Sequence, residues 1–337
     1  MTHPYAGVAA KLMDSRLGER IAADGIAVEE ILRTVVLCDC RIVERVGTDL
    51  VSAGGKRLRP MLLVLSARAC GRDKLDLSVY QAAAATELIH MATLIHDDVV
   101  DEAATRRGLP TAFALFGKSA SVLSGDVMLA KAMDLLARTG SVEVIRAISG
   151  AVVAMAEGEV REIETRGDFD LAKSEHFDIL RLKTAEFMAA CCETGAILAG
   201  ASEAERRALA TYGLHVGMAF QIIDDVLDYA GNPAATGKPQ GTDFIEGCAT
   251  LPLILLRERS NQDQRENLAR LFGGARYECD AISTVVRLMR SAGVLDEAER
   301  AARAHVTDAV SALRALPENG ARQFLEEVTE LILARKS

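Results

Sequence analysis

Residues 81–101 read QAAAATELIHMATLIHDDVVD, a run without glycine or proline that carries apolar side chains on nearly every helical face. A helix apolar all round is normally buried inside a large helical protein, so a core helix is predicted over Gln81–Asp101. A second such run covers Arg206–Tyr229. Helical periodicity also predicts helices over Ile26–Ala53, Ser121–Thr139 and Val142–Glu164. From Asp280 onward charged and apolar residues alternate at helical spacing, as in outer amphipathic helices. No low-complexity linker or composition step marks a boundary, so the expectation is one all-α domain over residues 1–337 with roughly ten or more helices.

Composition agrees. Of 337 residues 50% are hydrophobic, only 4% are aromatic and none is Trp, a profile that suits packed helices better than strands. The formal net charge of −9 argues against a nucleic-acid partner, whose phosphates demand a basic surface. No stretch reaches the roughly 18 consecutive apolar residues of a membrane span, and MTHPYAGVAAKLMD at the start lacks a signal-peptide layout; a cytoplasmic protein is expected. The 7 cysteines are odd in number and include the tight pairs Cys38/Cys40 and Cys191/Cys192. They have neither disulfide-framework nor zinc-site spacing and read as idle thiols. Pro60, Pro110, Pro252 and Pro317 stand where helices would begin or turn, and Pro233 and Pro239 lie in a polar loop.

The run ends in an acidic segment, HDDVVDE, and a second, IDDVLDY, ends the Arg206–Tyr229 run. Residues i and i+4 share a helix face, so Asp97 stacks with Asp101 and Asp224 with Asp228, while Asp98 and Asp225 flank them. Either segment alone reads equally as a solvated helix end. The pair is harder to explain that way, because like charges repel and negative charge at a helix C-terminus opposes the macrodipole. Hard divalent cations resolve the conflict: magnesium binds one or two carboxylates, keeps several waters and takes phosphate oxygens. A diphosphate would complete its coordination.

Basic residues supply the complement. GGKRLRP places Lys56, Arg57 and Arg59 after two glycines and before a helix start, a favourable place for an anion. Arg106 and Arg107 follow the first acidic segment, Lys183 and Thr184 lie in a further helix, and Lys238 follows the second segment. Singly these read as surface charges; beside the acidic segments they read as diphosphate contacts.

Six segments taken in order resemble the trans-type prenyl diphosphate synthase family: GGKRLRP (Gly54–Pro60), ELIHMATLIHDDVVD (Glu87–Asp101), RRG (Arg106–Gly108), KTA (Lys183–Ala185), QIIDDVLD (Gln221–Asp228) and GKPQGTD (Gly237–Asp243). The resemblance implies an isoprenoid-synthase helical bundle around a central cavity, usually a homodimer. It implies about three magnesium ions held by Asp97, Asp101 and Asp224, with Asp98, Asp225 and Asp228, against an allylic diphosphate. Arg106, Lys183, Thr184, Gln221 and Lys238 would grip that diphosphate. Lys56, Arg59, His90 and Arg107, with Arg57 nearby, would bind isopentenyl diphosphate. One departure is Cys248, in EGCATLP, where the family usually has a lysine.

Product length follows from helix geometry. One turn rises about 5.4 Å, roughly one isoprene unit, and the growing chain would run back from Asp97 along its own helix. Ala92 and Thr93 stand one turn back, Leu88 and Ile89 two, and Ala85 three; none is aromatic. A long-chain product is expected, octaprenyl to decaprenyl, such as a quinone side-chain precursor, with peripheral membrane contact for its release. The alternatives are a farnesyl or geranylgeranyl synthase, which only the open tunnel separates, and a non-catalytic subunit of a heteromeric synthase, against which both intact acidic segments argue. A terpene cyclase would need neither GGKRLRP nor the second acidic segment.

Overall fold

The computed structural model describes residues 16–106, 108–231, 240–274 and 279–334. In chain order its helices are α1 Arg16–Val35, α2 Arg41–Ser52, α3 Leu58–Ala69, α4 Leu77–Val100, α5 Ala112–Arg138, α6 Val142–Thr165, α7 Lys173–Leu180, α8 Glu186–Leu198 and α9 Glu203–Ala230, then α10 Thr242–Glu246, α11 Leu251–Arg259, α12 Gln262–Leu271, α13 Cys279–Ser291, α14 Val294–Ala312 and α15 Gly320–Leu333. A π-helical turn, Arg181–Ala185, runs from α7 into α8. Among the described residues the strands are two short ones, β1 Thr105–Arg106 and β2 Leu109–Pro110, paired antiparallel with Arg106 opposite Leu109. The fold is all-α, as the composition and periodicity predict.

The chain groups into two compact units. The first comprises Met1–Ser149, Ala190–Ala210 and Leu313–Val328. Its core is α4, in which Ala82 to Ala85, Leu88 and Ile89 are all 0% exposed; burying each of the larger side chains stabilises by about 1.5–3 kcal/mol. Helix α5 packs along α4, and Gly125 permits the contact: a Cβ there would lie 2.2 Å from His96 Nε2. Two buried arginines tie α1 to its neighbours through ion pairs. Arg57 binds Glu29 and Glu87 at 2.6 and 2.8 Å, and Arg68 binds Asp24 at 2.6 Å.

The predicted helix over Ile26–Ala53 is two helices. Lys131 of α5 donates to the carbonyls of Val35 and Leu37, at 2.5 and 2.9 Å. This satisfies the C-terminal end of α1, and Cys40 then enters α2 in an extended conformation. Ahead of the helix predicted from Ser121 lies a short helical turn from Ala112, capped by Thr111, which accepts from the Ala114 amide; Gly117, with φ 78° and ψ 174°, is non-helical and kinks α5 between the two. By length and composition alone, α5 is also long and apolar enough to cross a membrane.

The second unit comprises Gly150–Ala189, Thr211–Ala312 and Thr329–Ser337. Tyr212, Tyr229, Phe187 and Phe244 are fully buried there. Three glycines let backbones close on the π-helical turn and the start of α8. A Cβ at Gly158 of α6 would lie 2.6 Å from the Lys183 amide nitrogen, one at Gly217 of α9 would lie 2.5 Å from Ala185 Cα, and one at Gly213 of α9 would lie 2.5 Å from the Met188 carbonyl. Real Cβ atoms do not approach so closely, so side chains at these three positions would push the segment bearing Lys183 and Thr184 away from its neighbours.

Candidate active site

In the first unit Asp97 and Asp98 occupy the last turn of α4 and Asp101 is its C-cap, as the sequence predicts. Asp98 is buried, whereas Asp97 is half-buried and Asp101 exposed. Arg106 of β1 donates from Nε to Asp98 Oδ1 at 2.8 Å. Burial pushes the Asp98 carboxyl upward, Arg106 opposes this, and the Asp101 charge adds to the rise. Arg106 is therefore engaged by Asp98 in this structure, which qualifies its expected role as a diphosphate contact. Arg107 lies outside the described residues.

The GGKRLRP segment forms the turn into α3. Arg57 is the N-cap residue in the left-handed region, with φ 45°. Its guanidinium is enclosed by Glu29, Glu87 and the Val51 carbonyl. Arg57, expected near isopentenyl diphosphate, is thus held by partners of the protein itself; removing one partner of such a buried pair costs about 3–5 kcal/mol. Lys56 is exposed and Arg59 half-buried in the first turn of α3, and His90 is half-buried in α4.

Along the proposed product path solvent reaches Thr93, Ala92 is 2% exposed, and Leu88, Ile89 and Ala85 are 0% exposed. No aromatic residue stands at these positions, and Leu88, Ile89 and Ala85 are closed off from solvent.

In the second unit Asp224, Asp225 and Asp228 lie in the last two turns of α9. Asp225 is buried, with one carboxyl oxygen 3.0 Å from His176 Nε2. The Asp228 oxygens accept from the amides of Thr242 and Asp243 at 3.1 and 3.2 Å. Lys183 and Thr184 sit in the π-helical turn, a feature frequent at functional sites. Lys183 Nζ lies 2.9 Å from Glu159 and 2.8 Å from Glu162. Burial alone would lower its pKa, but the Glu162 and Glu159 charges outweigh this and raise it, so Lys183 is a permanent cation. Thr184 donates to Gln221 Oε1 at 3.0 Å. Lys238 lies outside the described residues.

Cys248 is half-buried near Glu162 and Asp243, and burial together with those two charges pushes its thiol up to about 12. It is neutral at physiological pH. Asp243, which the sequence reading left without a role, is held well above the usual carboxylate range by burial and by the charges of Asp228, Asp225 and Glu162. His176, Glu159 and Glu162 were also missed; none belongs to the acidic or basic segments, and their relevance arises only from long-range packing.

These side chains fit magnesium. The second unit gathers more carboxylates than cations around Asp228 and Asp243, a charge imbalance that a hard divalent ion relieves, and the donors are all oxygen. Among the described residues no three His, Cys, Asp or Glu side chains already surround one point. Magnesium needs no closed protein cage, since it keeps waters and takes phosphate oxygens.

Residues 40–289 match the sequence profile of the family described as polyprenyl synthetase. The chain is 36% identical over 317 residues, 94% of it and 96% of the relative, to the all-trans-nonaprenyl-diphosphate synthase (geranyl-diphosphate specific) of Rhodobacter capsulatus. It is 35% identical over 322 residues, 95% of it and 98% of the relative, to the octaprenyl diphosphate synthase of Escherichia coli. A polyprenyl synthase from Caulobacter crescentus, solved in complex with calcium and isoprenyl diphosphate, superposes with a TM-score of 0.89 at 38% identity, covering 96% of this chain and 98% of that one. With a helical fold, two D-D-V-x-D segments at the ends of buried helices, and likeness along nearly the whole length, the chain belongs to the polyprenyl synthetase family.

Proposed function

We propose that this protein is a magnesium-dependent trans-prenyltransferase that condenses isopentenyl diphosphate with an allylic diphosphate, repeatedly, to give an all-trans long-chain polyprenyl diphosphate. The observation that carries this reading is the repeated acidic segment, each copy ending a long helix with its second aspartate pinned by a basic side chain. The nonaprenyl and octaprenyl synthases among its relatives favour a long product over a farnesyl or geranylgeranyl one. A quinone side-chain precursor made in the cytoplasm is the metabolic role we assign.

Asp97, Asp101, Asp224 and Asp228 would hold the magnesium ions, with Asp98 and Asp225 fixing the helix ends. When bound, magnesium neutralises the charge that builds on the departing diphosphate. Lys183 adds a fixed positive charge to the same group, with Thr184, Gln221 and Lys238 beside it. Lys56, Arg59, His90 and Arg107 hold isopentenyl diphosphate. The allylic C–O bond breaks and its electron pair leaves with diphosphate. The isopentenyl double bond attacks the allylic carbon to form the new C–C bond, and a proton passes to the released diphosphate. The apolar face of α4 excludes water, which would otherwise capture the cation.

We also assign a homodimer. Helix α5 supports it: it is strongly apolar, yet Leu115 before the Gly117 kink and Leu123 after it are 47% and 61% exposed, apolar surface suited to burial against a second copy. Contact with a membrane surface during product release accords with the lipid nature of the product. The reading is tested by chelation and by Asp97→Asn and Asp224→Asn. Each treatment is expected to lower turnover about 10²- to 10³-fold, the range for removing one preorganised electrostatic group. Turnover that survives a chelator unchanged would contradict it.

A further inference from the structure

We infer that His176 is a positioning residue for the second acidic segment, holding Asp225 so that its neighbours Asp224 and Asp228 are presented to metal; the inference rests on the prenyltransferase reading above. The two acidic segments share an internal pattern. Their second aspartates, Asp98 and Asp225, are 4% and 3% exposed, and each meets one basic side chain, Arg106 at 2.8 Å and His176 at 3.0 Å. The remaining four aspartates are half-buried or exposed. In each copy the second aspartate is thus buried against a basic side chain while the flanking ones stay partly exposed, Asp228 also accepting from the Thr242 and Asp243 amides.

The clamp differs in kind between the copies. Arg106 is a fork of permanent charge, while His176 is itself 3% exposed. The clamp we infer has Nε2–H donating to the carboxyl oxygen 3.0 Å away. His176 lies in α7, which runs directly into the π-helical turn bearing Lys183 and Thr184. Thr184 in turn bonds to Gln221, one helical turn before Asp225 on α9. Two rungs, His176–Asp225 and Thr184–Gln221, therefore bind one continuous segment to the end of α9. Without the histidine donor, a buried carboxylate would be left unpaired; it must turn away to find another partner, and that shifts the end of α9 and with it Asp224 and Asp228.

The test compares the wild type with His176→Gln, which keeps an N–H donor, and His176→Met, which fills similar space without one. Binding of Mn²⁺ in the presence of inorganic diphosphate is measured by electron paramagnetic resonance, and the melting temperature of each metal-free protein is recorded alongside. His176→Met is expected to weaken Mn²⁺ binding about 10- to 100-fold, as for other groups that orient metal ligands, with His176→Gln restoring most of it. Equal losses in the two variants, or no loss in His176→Met, overturn the inference. A second readout needs no variant: nitrogen-15 NMR of histidine-labelled wild type should show a slowly exchanging Nε2 proton on His176 that shifts when Mg²⁺ and diphosphate are added. A freely exchanging or unresponsive proton overturns it as well. Failure of the wild type to bind Mn²⁺ with diphosphate overturns the prenyltransferase reading and this inference together, whereas wild-type binding unaffected by His176→Met overturns only the inference.

Discussion

At the scale of single residues, charge placement decides the account. Cys248 is neutral beside Glu162 and Asp243, at a position where the family resemblance implies a lysine. Cys248→Lys is expected to lower KM for the allylic diphosphate about tenfold, the effect of one hydrogen bond to a charged group of about 1.5 kcal/mol; an unchanged KM in steady-state kinetics would show that this position does not reach the substrate. Which residues carry charge was legible in the sequence, but where each charge is directed was not. Arg57 sits in the same short segment as Lys56 and Arg59, yet its partners Glu29 and Glu87 lie 28 and 30 residues away. His176 is 49 residues from Asp225. Sequence spacing reveals neighbours on one helix, whereas such pairs are made by packing between helices.

At the scale of elements, α4 carries both the first acidic segment and the path for the product. Its position was legible because an all-round apolar run without glycine or proline has few alternatives. The break between α1 and α2 was not, since the lysine that satisfies the end of α1 comes from α5. Ala92 lies about one turn below Asp97 and is 2% exposed, so a phenyl ring there would occupy the space of the growing chain. Ala92→Phe is expected to shorten the product by several isoprene units, at about one unit per helical turn. An unchanged product mass would sink the argument that the chain runs along α4. Ile89 is a large aliphatic residue about two turns back from Asp97 on the same helix, so Ile89→Ala is expected to lengthen the product or broaden its distribution, and the same mass measurement checks it.

At the scale of the whole molecule, an all-α protein without a basic surface was evident from 4% aromatic content and a net charge of −9, and its family is shown by likeness over almost all of its length. Assembly is the larger prediction. Leu115→Glu with Leu123→Glu on α5 would set charges in the proposed dimer face, and the pair is expected to shift the protein from dimer to monomer by light scattering; a wild type that is already monomeric would refute that face. Incubating the purified wild type with Mg²⁺, isopentenyl diphosphate and farnesyl diphosphate, then sizing the extracted products by mass, decides whether this chain is a long-chain synthase. A ladder ending in the octaprenyl to decaprenyl range is expected. A ladder ending at farnesyl or geranylgeranyl length would contradict the long-chain assignment, and no condensation at all with metal and both substrates present would contradict the claim that this chain alone is the enzyme.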